Sequence, residues 1–283
     1  MMTVRRDDAE RMLNKVPEVT IYFWIIKILC TTVGETAADL LNSHLNLGLT
    51  NTTYIMGSLL LITLFFQFRS RKYVPGTYWL AVVLLSVVGT QITDNLVDNF
   101  GVTLETTTTI FAIVLVLVFA AWYASERTLS IHTIYTTRRE AFYWLAILFT
   151  FALGTAAGDL AAESLDIGYL NSALMFAGLI AIVTIAHYAL KTLLPAEHRR
   201  QSSNAVLAFW LAYILTRPLG ASIGDFLSQP PDKGGLGLGT IATSVIFLVT
   251  ILSLVVYLTI TRRDVIERPH ASRDQVARAD ANA

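Results

Sequence analysis

Four aspartates occupy the same place in a pattern that this sequence contains four times. Each copy runs from an aromatic residue and a tryptophan through nine mostly apolar residues to a glycine, and then through four more residues to the aspartate. The four acids are Asp39, Asp94, Asp159 and Asp225. Carboxylate oxygens are ligands that hard cations prefer, and carboxyl groups also carry protons. If the copies fold alike, the four side chains come to one level and form an acidic site.

Further oxygen-bearing side chains stand three and four residues before the aspartates, which places them on the same face if each copy is helical. The sequence therefore predicts one set of substrate-binding or cation-binding residues. The set comprises Glu35, Asp39, Asp94, Asp159, Asp225, Thr90, Gln91 and Thr155. Glu35 and Asp39 are the only two acids of the set spaced four apart. They are the predicted ligands if a metal binds.

Two basic residues, Lys27 and Arg217, lie inside apolar stretches and are the predicted charge partners of these acids. Lys27 stands two helical turns before Glu35. It would either hold the site shut in the absence of a cation or pair with Glu35 so that both can be buried. Arg217 is followed by Pro218, which removes a backbone hydrogen bond and predicts a kink or a local break.

The composition sets the class of protein. The chain has 283 residues, of which 54% are hydrophobic and only 15% charged, and its mean hydropathy is +0.56. These values are typical of a polytopic membrane protein, so the expected partner is the lipid bilayer, and no nucleic acid is expected. The single cysteine, Cys30, excludes a disulfide framework and a cluster of thiolate metal ligands.

The elements that position the acids are predicted to be helices. The aspartates are 55, 65 and 66 residues apart, and a pair of membrane-crossing helices needs about 40 residues, so each copy is a helical hairpin. The predicted fold is all-α, with eight spans in one membrane domain of residues 19–260 and repeats at about 19–76, 77–140, 141–204 and 205–260. The predicted spans are 19–41, 52–68, 78–97, 104–123, 141–163, 169–190, 205–227 and 238–260.

Small residues predict how these helices pack. A glycine in each odd-numbered span lets a neighbouring backbone approach closely, which is how helices associate in lipid. We therefore expect the odd-numbered spans to form an inner layer and the more uniformly apolar even-numbered spans to face lipid. Residues 1–18 form an N-terminal segment, and residues 261–283 form a charged tail that is predicted to be disordered.

Basic residues predict the orientation. Eighteen of the 21 lysines and arginines fall in the two terminal segments and in the loops that would share their side of the membrane, and only Lys233 falls in an opposite loop. Lysine and arginine favour the cytoplasmic side of short loops, so both termini are predicted to be cytoplasmic. The aromatic–tryptophan pairs would then lie at the cytoplasmic boundary, in the aromatic belt, and the aspartates in the outer leaflet.

Three stretches resemble a family of bacterial multi-pass inner-membrane proteins that are described as membrane-anchored. They are Lys15-Val-Pro-Glu-Val-Thr20 with Phe23-Trp24 and Thr31 to Thr36, the segment from Phe149 to Asp159, and Ile214-Leu-Thr-Arg-Pro-Leu-Gly-Ala-Ser-Ile-Gly-Asp225. The resemblance covers residues 15 to about 260. It implies a location in the bacterial inner membrane and carries no established activity with it.

Two classes of function fit these features. One is a secondary transporter or ion pathway for a hard cation such as Mn²⁺, Mg²⁺, Na⁺ or H⁺, because internal repeats with buried acids are how many carriers build a binding site. The other is a structural or signalling membrane protein whose acids only hold helices together. No nucleophile with an adjacent base can be assembled, so no enzyme is expected, and no cofactor is expected beyond a bound metal cation. The sequence leaves the oligomeric state open.

Overall fold

A computed structural model describes residues 14–44, 47–193 and 203–265, and in this part of the chain the regular structure is helical. Eight helices are long and apolar enough to cross a membrane, which confirms the predicted all-α fold. They are α1 Ile21–Asp39, α2 Gly48–Arg69, α3 Pro75–Asp94, α4 Leu104–Glu126, α5 Thr137–Asp159, α6 Tyr169–Leu193, α7 Ser203–Ser228 and α8 Gly239–Thr261. Most of the predicted tail lies outside the described residues.

Local sequence explains where several helices begin. The hydroxyl of Thr103 accepts a hydrogen bond from the backbone N–H of Thr106 at the start of α4. The hydroxyl of Thr136 does the same for Arg139 at the start of α5, and both are N-caps of the usual kind. Pro75 opens α3 at the one helical position where the missing N–H costs nothing. As a result, α3 begins at Pro75 and α5 at Thr137, three and four residues before the predicted starts of these spans at 78 and 141.

The eight helices form two layers. In the most apolar window of each helix, 56–61% of the residues of α1, α3, α5 and α7 are buried, against 11–22% for the other four. The inner helices contact one another in the order α1, α3, α5, α7 and back to α1. Each outer helix packs mainly on the inner helix of the next repeat: α2 on α3, α4 on α5, α6 on α7 and α8 on α1. The predicted layers are therefore correct, and the repeats interlock into a closed ring.

Glycines set the closeness of the inner ring. A Cβ added to the glycine of each motif would collide with the residue that stands eight positions before the aspartate of the next repeat. The four pairs are Gly34 with Ser86, Gly89 with Phe151, Gly154 with Arg217, and Gly220 with Thr31. The same contact thus recurs between every pair of neighbouring repeats, including the last and the first. This regularity supports the predicted role of the glycines as points of close helix approach.

Aromatic residues close the ring at one end, which we call the terminal end because it carries residues 14–20 and 262–265. The first aromatic residue of each motif packs against the tryptophan of the next repeat. The ring centroids are 5.7 Å apart for Phe23 and Trp79, 5.4 Å for Tyr78 and Trp144, 6.3 Å for Tyr143 and Trp210, and 5.6 Å for Phe209 and Trp24. We call these eight side chains the aromatic ring. They were expected to lie in the aromatic belt at the membrane boundary, but the inner helices turn most of them into the core of the bundle.

The segment of residues 14–20 lies across the terminal end, and we call it the N-terminal strap. The ammonium group of Lys15 contacts Glu140 at 2.6 Å and donates to the carbonyl oxygen of Phe68 at 3.0 Å. The backbone N–H of Glu18 donates to the carbonyl oxygen of Asp264 at 3.0 Å, just beyond α8. The strap therefore ties the ends of several helices together beneath the aromatic ring.

Candidate functional site

A cavity of about 420 Å³ lies at the opposite end of the bundle, which we call the acidic end. It is lined by the four motif aspartates together with Glu35, so the closed ring brings these five predicted site residues to one place. Asp98 and Glu163 also line it, and each stands four residues after a motif aspartate. Among the described residues, the lining holds seven acidic side chains and neither lysine nor arginine. Where these acids are ionised, a lining of one sign of charge favours the entry of cations.

The backbone changes just after the aspartates in three of the four repeats. The α-helical assignment of α1, α3 and α5 ends at Asp39, Asp94 and Asp159. Each continues as a single π-helical turn, over Leu40–His44, Asn95–Asn99 and Leu160–Ser164. Turns of this kind are rare and often occur at functional sites, because they redirect side chains and free backbone groups. The helix α7 instead runs through Asp225 to Ser228 without interruption.

Glycines complete the hairpins at the acidic end. Gly48, Gly101 and Gly168 follow the aspartates of the first three repeats and have φ of +73°, +66° and +78°. Glycine adopts this left-handed region without the strain that a side chain causes. The chain can therefore turn back at once into the outer helix, which leaves the aspartates at the rim of the bundle.

The acids of the cavity differ in their contacts. Asp225 retains only 7% of its exposed surface, and within the described residues it has neither a hydrogen-bond donor nor a basic partner. Asp39 is half-buried, and its Oδ2 accepts a hydrogen bond from Gln229 at 3.5 Å. Asp94 and Asp159 are also half-buried. Glu163 Oε1 accepts a hydrogen bond from the hydroxyl of Tyr169 at 3.1 Å. Four of the seven acids, Asp94, Asp98, Asp159 and Asp225, thus have no side-chain hydrogen-bond donor among the described residues.

Arg217 forms the floor of the site. Its guanidinium is fully buried and donates from Nη2 to Glu35 Oε2 at 2.8 Å and from Nη1 to the carbonyl oxygen of Thr31 at 2.8 Å. Nη2 also donates to the hydroxyls of Thr155, at 2.7 Å, and of Thr90. One side chain of the fourth repeat therefore binds residues of the other three. Glu35, Thr90 and Thr155 all stand four residues before a motif aspartate, so the repeat itself converges on Arg217.

These contacts change the roles expected for three residues. Thr90 and Thr155 were predicted to bind a cation directly, but they do not line the cavity and instead hydrogen-bond to Arg217. Gln91 does not line the cavity either. Its Nε2 donates to Asn42 Oδ1 at 3.1 Å, and its Oε1 accepts from Thr53 at 3.4 Å. The polar layer beneath the aspartates therefore orients the arginine and the neighbouring helices.

The predicted pairing of Lys27 with Glu35 is wrong. The two residues are eight apart on one helix, which separates them by about 12 Å along the axis, whereas Arg217 reaches Glu35 from the neighbouring helix. Lys27 is fully buried, and its Nζ lies 4.0 Å from the ring centroid of Phe151 and 4.3 Å from that of Tyr213. Of the kink or local break predicted at Pro218, the break is absent, since α7 stays helical through this residue.

The predicted metal ligands Glu35 and Asp39 both line the cavity, but Glu35 Oε2 is already bound by Arg217. Among the described residues, no three His, Cys, Asp or Glu side chains are grouped as in a metal site. The acids surround a space instead of converging on one point. In this arrangement a cation would have to displace Arg217, or keep some of its own water, in order to be held by several of them.

Sequence reasoning missed the acids four residues after the aspartates and the central place of Arg217. The first signal was present, because Asp98 and Glu163 stand four residues after Asp94 and Asp159. The second was weaker. The position eight residues before the aspartate holds polar or charged residues in three copies, Thr31, Ser86 and Arg217, which share the face of the acids.

Fold and site together define a multi-pass helical membrane protein made of four interlocked repeats with an acidic cavity at one end. The chain belongs to the family described as Repeat of Unknown Function (DUF347), which matches residues 22–73, 77–128, 142–192 and 208–264. Each match covers one helical hairpin with its motif aspartate. No curated protein and no solved structure matches the chain.

Proposed function

We propose that this protein is a secondary transporter or ion pathway for a hard cation, Mn²⁺, Mg²⁺, Na⁺ or H⁺, in the bacterial inner membrane. One observation supports this function above the others. Seven carboxylates line a cavity at one end of the inner ring, while the aromatic ring fills the core at the other end. A site that is open on one side and closed on the other is what alternating access requires.

The orientation follows from the basic residues. The terminal end carries the clusters at residues 69–72 and 127–139, so it is the cytoplasmic end in this proposal. The acidic cavity then faces the periplasm, and the arrangement corresponds to an outward-facing state. A cation then enters from the side whose loops carry a single basic residue, Lys233. Within the described part of the site, the cation competes only with Arg217 for the acids.

Arg217 gives the site a means of responding to the cation. In the arrangement described, its guanidinium forms an ion pair with the Glu35 carboxylate, to which an entering cation would bind. A cation that binds Glu35 and Asp225 removes the partner of Arg217 and weakens a group that links all four repeats. The binding free energy can then shift the ring toward a state in which the cytoplasmic end is open.

We propose no enzymatic activity and no cofactor. The side chains around the cavity are carboxylates, amides, one threonine hydroxyl and aliphatic groups. This set offers oxygen ligands and proton carriers, and it lacks the pairing of a nucleophile with a base that covalent catalysis uses.

A structural role is the second candidate, and the hydrogen bonds of Arg217 favour it. A buried arginine that links four repeats is what a protein needs to hold its helices in register. Asp225 separates the two functions, because it is buried in the cavity wall without a partner among the described residues and forms no part of the Arg217 cross-link.

The test is cation uptake by purified protein in liposomes, together with the melting temperature as a function of cation concentration. Wild-type protein should take up at least one of Mn²⁺, Mg²⁺ or Na⁺ and should melt at higher temperature as its concentration rises, since binding to the folded state stabilises it. Asp225→Asn should fold normally and lose both responses. Asp232→Asn is the matched control, because Asp232 is exposed in the turn after α7 and does not line the cavity. No uptake and a flat melting temperature for wild type would favour the structural role.

A further inference from the structure

Lys27 is a second buried cation on the axis of the bundle, and neither the cavity nor the floor of the site uses it. Its side chain is fully buried on the inner face of α1, between the aromatic ring and Arg217. Within the described residues Nζ has no hydrogen-bond acceptor, although an ammonium group carries three donors.

The groups that face Lys27 come from several helices. From α5 it meets the ring of Phe151, and from α7 the ring of Tyr213. Its ionisable neighbours are Cys30, a buried thiol on its own helix, and Arg217. In the part of the chain that the structure describes, no carboxylate from α1, α3, α5 or α7 pairs with it, because Glu35 is taken by Arg217.

The energetics of this position disfavour a permanent charge. Removing an ammonium from water costs more free energy, even after the protein relaxes, than contact with two aromatic faces recovers. Arg217 adds a like charge. A side chain in these surroundings either gains an acceptor or gives up its proton. A lysine can do so, whereas an arginine stays charged, so the two basic residues of the axis are not equivalent.

Other unsatisfied polar atoms lie along the same axis. The hydroxyls of Ser86 and Tyr213 and the Nε of Arg217 are buried without a hydrogen-bond partner within the described residues. Ser86 and Arg217 occupy the same position in their repeats, eight residues before the aspartate, and Tyr213 contacts Lys27. Buried polar groups are normally satisfied by protein or by water, so water that entered the axis would find hydrogen-bond partners at these atoms.

We propose that Lys27 is a proton-exchanging site that couples the movement of the cation to the movement of a proton in the opposite direction. This inference rests on the proposed transport function. In the outward-facing arrangement the side chain is a free amine. When the aromatic ring opens, water reaches Nζ from the cytoplasm and the amine takes a proton from a hydronium ion, so that an N–H bond forms, an O–H bond breaks and neutral water is left. When Arg217 returns to Glu35, the like charge favours loss of that proton. The N–H bond then breaks, and a carboxylate of the cavity accepts the proton and passes it to water on the periplasmic side. One proton leaves for each cycle that brings a cation in.

The first experiment follows both ions in liposomes that contain a pH-sensitive dye. An inward cation gradient should drive protons outward through the wild-type protein. Lys27→Met should keep downhill cation uptake and lose the linked proton movement, and Lys233→Met, in an exposed turn, should behave like wild type. Proton movement that persists in Lys27→Met would overturn the inference while leaving the transport function intact. Absence of cation uptake in wild type would instead overturn the transport function.

A second measurement does not require Lys27→Met to transport. The chain has only five lysines, so ¹⁵N-labelling of lysine gives few side-chain signals in the purified protein. The signal that is missing in Lys27→Met should have the chemical shift of a free amine at neutral pH, while the other lysines give ammonium signals. An ammonium signal from Lys27 in the cation-free protein would contradict the inference.

Discussion

Arg217 Nη2 lies 2.8 Å from Glu35 Oε2, so the fourth repeat is tied to the first through the centre of the inner ring. Both side chains are almost completely buried. A buried ion pair adds little to stability compared with apolar residues, but the loss of one partner leaves an uncompensated charge. This asymmetry makes the pair suitable for a switch. A cation that binds Glu35 leaves the charge of Arg217 buried without its partner, which destabilises the present arrangement of the helices.

The first prediction concerns this pair. Arg217→Met should lower the free energy of unfolding by about 3–5 kcal/mol, because Glu35 would remain buried without its partner. Arg217→Met combined with Glu35→Gln should regain most of that loss. Unfolding of the purified protein by heat or by denaturing detergent measures both. A double variant as unstable as the single one would show that the hydrogen bonds to Thr31, Thr90 and Thr155 dominate instead.

The second prediction concerns the close approach of the inner helices. Gly89→Ala should destabilise the protein by about 1–3 kcal/mol, since the new Cβ would collide with the Cβ and backbone of Phe151 on α5. Gly178→Ala is the control, because the space around Gly178 in the outer helix α6 is open, and there alanine improves the helix propensity. Melting temperatures compare the two. Equal effects would mean that glycine acts only through helix propensity.

Much of the fold could be predicted from the sequence because the information is local and repeated. Spacing within one helix is fixed at about 1.5 Å per residue, so identical counts from Phe23, Tyr78, Tyr143 and Phe209 to their aspartates predict one depth for all four acids. Apolar runs and turn glycines mark the helices, and the charge asymmetry of the loops predicts which ends share a side of the membrane. None of these inferences depends on which helices are neighbours in the folded protein.

The charge pairs could not be predicted in this way, because they depend on neighbours across the ring. Pairing with Glu35 on the same helix was one of the two roles expected for Lys27, yet Glu35 is bound by Arg217, which is 182 residues away in the sequence. The aromatic ring was misjudged for the same reason. Periodicity shows that Trp79 and Trp144 have equivalent positions, but only the order of packing decides whether they face lipid or the next repeat.

The third prediction uses the single cysteine as a probe of the closed end. Cys30 is fully buried in the same core as Tyr78 and Tyr143, whose hydroxyls are hydrogen-bonded to each other. A water-soluble maleimide should therefore not label the wild-type protein. Tyr78→Ala combined with Tyr143→Ala should open the aromatic ring and allow labelling from the terminal side. Tyr54→Ala, which changes an exposed tyrosine of α2, should leave Cys30 unlabelled. Rapid labelling of wild type would mean that this end is not closed.

The last prediction concerns pH and the N-terminal strap. Burial raises the pKa of the Asp264 carboxyl, although the Tyr73 hydroxyl donates to its Oδ2 at 2.6 Å and favours the charged form. A carboxyl whose pKa is higher in the folded protein binds protons more readily there than in the unfolded chain. The stability that this provides is complete below the unfolded pKa of about 3.9 and is lost as the pH rises through the raised value.

Asp264→Asn should remove this dependence, because an amide does not titrate. As the pH rises from about 4 toward neutrality, the melting temperature of wild type should therefore fall relative to that of Asp264→Asn. Asp232→Asn, at an exposed site, should run parallel to wild type over the same range. A melting difference that moves the other way would show that the hydrogen bond from Tyr73 outweighs burial and that the folded protein favours the ionised Asp264 carboxylate.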